Sequence, residues 1–261
     1  MNGPLNINAS RTLPSRLKRY LSQNVTKAHA DLILIGTCFI SGLVDGASFN
    51  VWGCFVSMQT GNTVYLGLGL SGHPHSQPYR WAISGTSILS FCCGAFVFSR
   101  LARLAGPLRR DTMSTSFLVQ AFLCFASGAL VEAGIVPPDA RDKLPRNCIV
   151  LLPLAMMSFQ SAGQIVASRM LDYTELPTVV LTSTYCDLMV DPALFTAPLL
   201  ENPKRNRRFV SAVVLMLGAA LGGYLTRGQS IAGALWIAAS IKVAIGAAWL
   251  FWRADEGSIR L

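Results

Sequence analysis

Apolar residues along this chain gather into long blocks; they neither alternate as in strands nor recur singly around a helix face. Long apolar blocks with few charges read as membrane-crossing helices, about 20 residues being needed to span the hydrocarbon core. Six clean blocks stand out, at about 31–45, 82–100, 115–135, 148–168, 208–226 and 231–252. Two further stretches, 47–70 and 177–200, are apolar but interrupted, the first by Asn50, Gln59-Thr60-Gly61-Asn62 and several glycines. Ser71-Gly72-His73-Pro74-His75 reads as a loop from its Gly and Pro, and 136–147 as a Pro-rich loop of mixed charge.

Composition points the same way. Charged residues make up 13% and hydrophobic residues 52%, whereas soluble domains carry about 25% charged residues. Too few charges remain to cover a water-facing surface, so much of the surface faces lipid. The expected fold is an all-α polytopic membrane protein: a basic tail over 1–30, a transmembrane domain over 31–252 with halves 31–135 and 148–252, and a short tail over 253–261.

The net charge of +9 would raise nucleic-acid binding in a soluble chain. Here the basic runs adjoin apolar blocks, where membrane topology places Lys and Arg, and no nucleic-acid module accompanies them. Residues 1–30 hold Arg11, Arg16, Lys18, Arg19 and Lys27 and no acid. They lack the apolar core of a secretory signal. Leu13, Leu17, Tyr20 and Leu21 share one helical face, which suits a short interfacial helix on an anionic leaflet. A mitochondrial presequence and a disordered tail are the other readings of the same residues. Arg100, Arg103, Arg109 and Arg110 follow the second clean block, and Lys204, Arg205, Arg207 and Arg208 precede the fifth. Placing these with the basic tail on the cytoplasmic side leaves 47–70 and 177–200 no net crossing. The prediction is six crossings, both termini cytoplasmic and two re-entrant or broken segments. Arg80, Arg141, Lys143, Arg146 and Arg227 then lie outside and Lys242 is embedded. Asn8-Ala9-Ser10 and Asn24-Val25-Thr26 are the acceptor sequons. Both are expected to stay unglycosylated in a microsomal expression assay; a glycan on either contradicts this topology.

The halves resemble each other. Thr60 stands 34 residues before Gly94-Ala95 and Thr182 stands 36 before Gly218-Ala219, each Gly-Ala step lying in the next clean block. Each half is a crossing, a broken segment and two more crossings. Three crossings per half is odd, so the halves run oppositely through the bilayer, an inverted repeat of the kind found in many secondary transporters.

Polar residues inside such blocks are the candidates for chemistry. Asp45 ends the first clean block between Gly42 and Gly46, and a carboxylate near membrane depth is a functional candidate; an interfacial Asp in contact with water is the plainer alternative. Gln59, Thr60 and Asn62 offer oxygen ligands and donors at a break, or simply cap it. Gln160 takes the place in the second half that Asp45 takes in the first, with Thr182 in the second broken segment and Asp187 as its acid. Lys242, mid-block and without a neighbouring acid, is expected to pair with Asp45 or Asp187 or else to snorkel to an interface. Gly42-Leu-Val-Asp-Gly46 and Gly218-Ala-Ala-Leu-Gly222 are small-xxx-small spacings that allow close helix packing. The seven cysteines form no CxxC pair and read as small packing residues. The three histidines lie outside the apolar blocks and in no cluster of metal ligands, so neither metal nor cofactor is expected. No GxSxG, P-loop or HExxH occurs, and no enzymatic activity is expected.

Gly42-Leu-Val-Asp45-Gly-Ala-Ser-Phe followed by Phe55-Val-Ser-Met-Gln-Thr60-Gly-Asn62-Thr-Val resembles the YoaK family of membrane proteins, also known as domain of unknown function 1275. The resemblance covers about residues 30–252. It extends to Phe159-Gln160-Ser161-Ala162 and Thr178-Val-Val-Leu-Thr182-Ser183-Thr184, where Ser161 replaces the family's Asn and Ser183 its Gly. It implies about six spans and brings no substrate or reaction. Two functions are carried forward: a small-solute or ion permease with Asp45, Thr60, Asn62, Gln160 and Thr182 at a midplane site, and a non-transporting membrane scaffold or assembly partner. An embedded lipid enzyme is a third. The bilayer is the evident partner, with self-association into a homo-oligomer left open.

Overall fold

The computed structural model describes residues 13–73, 75–76, 79–136, 148–198, 200–228 and 230–255. The Asn8 sequon, most of the 136–147 loop and most of the C-terminal tail lie outside them. The described residues form helices α1 (Leu13–Leu21), α2 (Ala30–Trp52), α3 (Gln59–Leu70), α4 (Arg80–Ala105), α5 (Arg110–Glu132), α6 (Leu151–Met170), α7 (Thr182–Met189), α8 (Pro203–Leu225) and α9 (Ala232–Phe251). Helices α2, α4, α5, α6, α8 and α9 are long and apolar enough to cross a membrane, α6 and α8 being extended by short 3₁₀ turns. The six predicted spans are found, and the chain is a multi-pass helical membrane protein.

One boundary differs. The first crossing was expected to end near Asp45, yet α2 runs on to Trp52, about 10 Å further at 1.5 Å per residue. Gly46 does not break the helix; its missing Cβ admits the Ala219 backbone, whose carbonyl oxygen lies 2.6 Å from where a Cβ would sit. The helix ends instead at Gly53, whose φ of 70° is the left-handed conformation glycine adopts at helix C-termini, its N–H donating to the Phe49 carbonyl. Residues 53–58 then turn back into the bundle.

Helix α3 runs antiparallel to α4, with Gly69 against Trp81 and Asn62 bonded to Ser87. It therefore starts about 10 Å inside the bundle, at the depth of Asp45, and emerges where α2 ended. Neither interrupted stretch carries the chain across the bundle: α3 leads back to the end where α2 stops and α4 starts, and 177–200 links the end of α6 to the start of α8. The segment just after α6, the start of α2 and the start of α8 meet at Arg207, which pairs with Glu175 at 3.0 Å and with Asp31 of α2 at 2.8 Å. Asn202 caps α8, its side chain accepting the Arg205 N–H ahead of Pro203 at the first helical position.

Helices α2 and α8 pack in parallel along their length, from Arg207 on Asp31 to Asn50 on Thr226. Gly42 and Gly46 of α2 face the α8 backbone at Leu215 and Ala219, while Gly218 and Gly222 of α8 face Phe39 and Leu43 of α2. The small-xxx-small spacings seen in the sequence thus meet each other. Helices α4 and α6 also run in parallel, with Gly94 against the Phe159 carbonyl. Helices α5 and α9 are antiparallel, Ser114 donating to the Gly246 carbonyl at 2.8 Å at one end and Trp236 to Glu132 at 2.7 Å at the other.

The basic runs gather at one end of the bundle. There residues 23–26 thread between 108–110 and 252–255 through backbone hydrogen bonds. Buried Arg110 donates to the carbonyls of Tyr20 and Trp252 and to Gln23. Arg205 donates to the carbonyls of Ala193, Leu194 and Ala197, closing the turn before α8. Several charges that announce topology in the sequence therefore also tie the links between helices.

Candidate functional site

Two polar clusters occupy the interior. The first surrounds the 53–58 link. Asp45 Oδ1 accepts the N–H groups of Val56 and Ser57, both at 2.8 Å, and Oδ2 accepts the Met58 N–H at 3.2 Å and the Ser57 hydroxyl at 2.5 Å. Four donors fill the four acceptor positions a carboxylate has. Buried Asn62 is committed too. Its Oδ1 accepts from the Phe55 N–H, and its Nδ2 donates to the Phe55 carbonyl, Gln59 Oε1 and Ser87 Oγ. Ser87 of α4 and Ser158 of α6 share a hydrogen bond of 2.8 Å, and Ser161 donates to the Val56 carbonyl at 2.8 Å. With no water available at this depth, an unwound segment must have its backbone groups satisfied by the protein. Asp45, Asn62, Ser87 and Ser161 do this.

The second cluster lies at mid-bundle. Lys242, fully buried on α9, donates to Gln120 Oε1 at 2.6 Å and Gln164 Oε1 at 2.9 Å. Its ammonium stands 5.8 Å from the Phe117 ring centre. Gln164 Nε2 donates in turn to Ser41 Oγ and, at 3.4 Å, to the Thr37 carbonyl. Gln120 Nε2 donates to Ser116 Oγ at 3.3 Å. Ser41, Gln120 and Lys242 each sit within a residue of the midpoint of their helices. The expected acid partner for Lys242 is thus replaced by two neutral amides; among the described residues no carboxylate pairs with it. Its reach to an interface is closed off by complete burial.

The clusters join along two helices. Thr37, Ser41 and Asp45 form a stripe on α2, and Ser158, Ser161, Gln164 and Ser168 one on α6; all are buried. Gln160 is also buried on α6, its Nε2 donating to the Met157 carbonyl of the same helix while its Oε1 has no hydrogen-bond partner among the described residues.

Of the residues singled out in the sequence, Asp45, Gln59 and Asn62 come together, Lys242 joins the seam through Gln164, and Gln160 is buried on α6 with a bond, among the described residues, only within its own helix. Thr60 and Thr182 are exposed. Asp187 is half exposed and pairs with Arg208 at 3.5 Å. These three lie apart from the seam. Gln120 and Gln164 are not among the residues singled out in the sequence. As amides in otherwise clean spans they carry a signal, but a lone buried Lys points first to an acid as its partner.

Six membrane-length helices around a buried polar seam, with the short helix α3 folded back among them, define a small multi-pass helical membrane protein. Residues 33–248 match the family model described as protein of unknown function (DUF1275), and the chain belongs to that family. Neither a curated protein nor a solved structure matches it.

Proposed function

We propose that this protein is a small-solute or ion permease whose binding centre is the Lys242–Gln120–Gln164 cluster, with both termini on the cytoplasmic side. One observation carries the reading: a fully buried lysine at mid-bundle is held by two neutral amide oxygens and, among the described residues, by no acid. Burying an ammonium costs several kcal/mol, of the order a protein keeps only where it is used. An uncompensated cation favours a solute carrying negative charge.

The packing supports an inverted repeat as the frame for such a site. Exchanging the halves takes the parallel pair α2–α8 onto the parallel pair α6–α4, takes α3 on α4 onto α7 on α8, and returns the antiparallel pair α5–α9 to itself. A two-fold axis in the membrane plane has these properties. The non-transporting scaffold is the second reading, and the saturated Asp45 favours it, since that carboxylate offers no free acceptor to a solute.

Lys242→Met separates the two. Removing the charge relieves its burial while orphaning two amide oxygens at about 1–3 kcal/mol each. The melting temperature of the purified variant is expected to stay within about 5 °C of wild type, since these terms offset. A thermal-shift screen of alkali halides and small mono- and dicarboxylates should find a solute that stabilises wild type and not Lys242→Met. If every solute shifts both proteins equally, the scaffold reading gains.

A further inference from the structure

We propose that the groove between α4 and α6 at the basic end of the bundle is a binding site for one anionic phospholipid of the adjoining leaflet. The groove encloses about 600 Å³ and is lined in part by Phe91, Ala95, Ile165 and Met170, with Arg103 and Arg169 at its mouth. From Phe91 to Arg103 is about 18 Å along the helix at 1.5 Å per residue. One leaflet's hydrocarbon is about 15 Å deep, half the bilayer core. An acyl chain laid against the apolar floor therefore brings its phosphate to the two guanidinium groups.

The charges at the mouth are uncommitted. Unlike Arg110, Arg205 and Arg207, which bind carbonyls or carboxylates within the chain, Arg103 and Arg169 are exposed and make no ion pair or hydrogen bond among the described residues. Among the described residues no acid lines the groove. The cleft on the other flank of α4 differs: it is lined by Asp111, already paired with Arg109. Guanidinium groups grip phosphate through paired N–H donors, and basic pockets between membrane helices at this depth suit anionic headgroups. The site requires only that the chain sits in a bilayer, not that it transports.

The test uses the full chain purified in a neutral detergent, with melting temperature followed as phosphatidylglycerol or phosphatidylcholine is added at equal mole fraction. Phosphatidylglycerol is expected to raise the melting temperature by several degrees and phosphatidylcholine not to. In Arg103→Gln/Arg169→Gln the apparent affinity for phosphatidylglycerol should fall about thirtyfold, with the lipid-free melting temperature unchanged. Ala95→Phe, which fills the floor and keeps both arginines, should lose the response as well and decides the matter if the double variant does not fold. Arg16→Gln/Arg100→Gln removes equal charge elsewhere and should respond as wild type. Equal responses to the two lipids, a phosphatidylglycerol preference surviving in the Arg103/Arg169 variant, or an equal loss in the Arg16/Arg100 control overturns the proposal. So does an equal shift from sodium phosphate alone, which would make the occupant a free anion.

Discussion

Asp45→Ala is expected to prevent accumulation of folded protein. The substitution strands three backbone N–H groups and the Ser57 hydroxyl, all of which end on this carboxylate. Each buried donor left without a partner costs about 1–3 kcal/mol, so the loss is on the order of 4 kcal/mol or more, against a total stability of about 5–15 kcal/mol. Asp45→Asn keeps one oxygen and turns an NH₂ toward donors, so it should fall between wild type and alanine. Ser57→Ala deletes a single bond and should cost about 1 kcal/mol. Monodispersity and melting temperature of detergent-extracted variants check the order Ser57→Ala, Asp45→Asn, Asp45→Ala. A well-folded Asp45→Ala protein at wild-type melting temperature would show that the 53–58 link is not held in this way.

Gly218→Ala and Gly42→Ala should be nearly as damaging. A Cβ on Gly218 runs into the Phe39 carbonyl and one on Gly42 into the Leu215 carbonyl. Neither obstacle is a side chain that can turn aside, so α2 and α8 must separate, at a cost of about 3 kcal/mol, the upper end of ordinary overpacking. Gly36→Ala and Gly223→Ala supply the contrast. Both positions are helical and open, with nothing within 4 Å of an added Cβ, and alanine there should stabilise by up to about 1 kcal/mol. Melting temperatures that fall alike for all four would contradict this packing.

These contrasts also mark how much could be read from the chain. The six spans were legible because lipid demands long apolar runs, and the basic clusters because they keep to one end. The glycine spacings were legible as packing. The end of α2 was not, because Gly46 and Asp45 look like a helix terminus when their neighbours on α8 and the 53–58 link are unseen. Asp45 and Asn62 were recognisable as a pair of interest, yet whether their polar atoms face a solute or the chain's own backbone depends on how residues 53–58 fold back. The partners of Lys242 were the largest gap. A buried cation suggests an anion, whereas Gln120 and Gln164 come from separate helices whose meeting no spacing encodes.

The central claim, that Lys242 and its two amides form a solute site, is tested most directly in proteoliposomes. Stopped-flow light scattering would follow solute entry for wild type and Lys242→Met, reconstituted at equal protein, across small carboxylates and halides. At least one anionic solute should enter wild-type vesicles faster than protein-free ones, and that excess should vanish with Lys242→Met although the variant folds. Identical entry rates in wild-type, Lys242→Met and protein-free vesicles for every solute would contradict the claim.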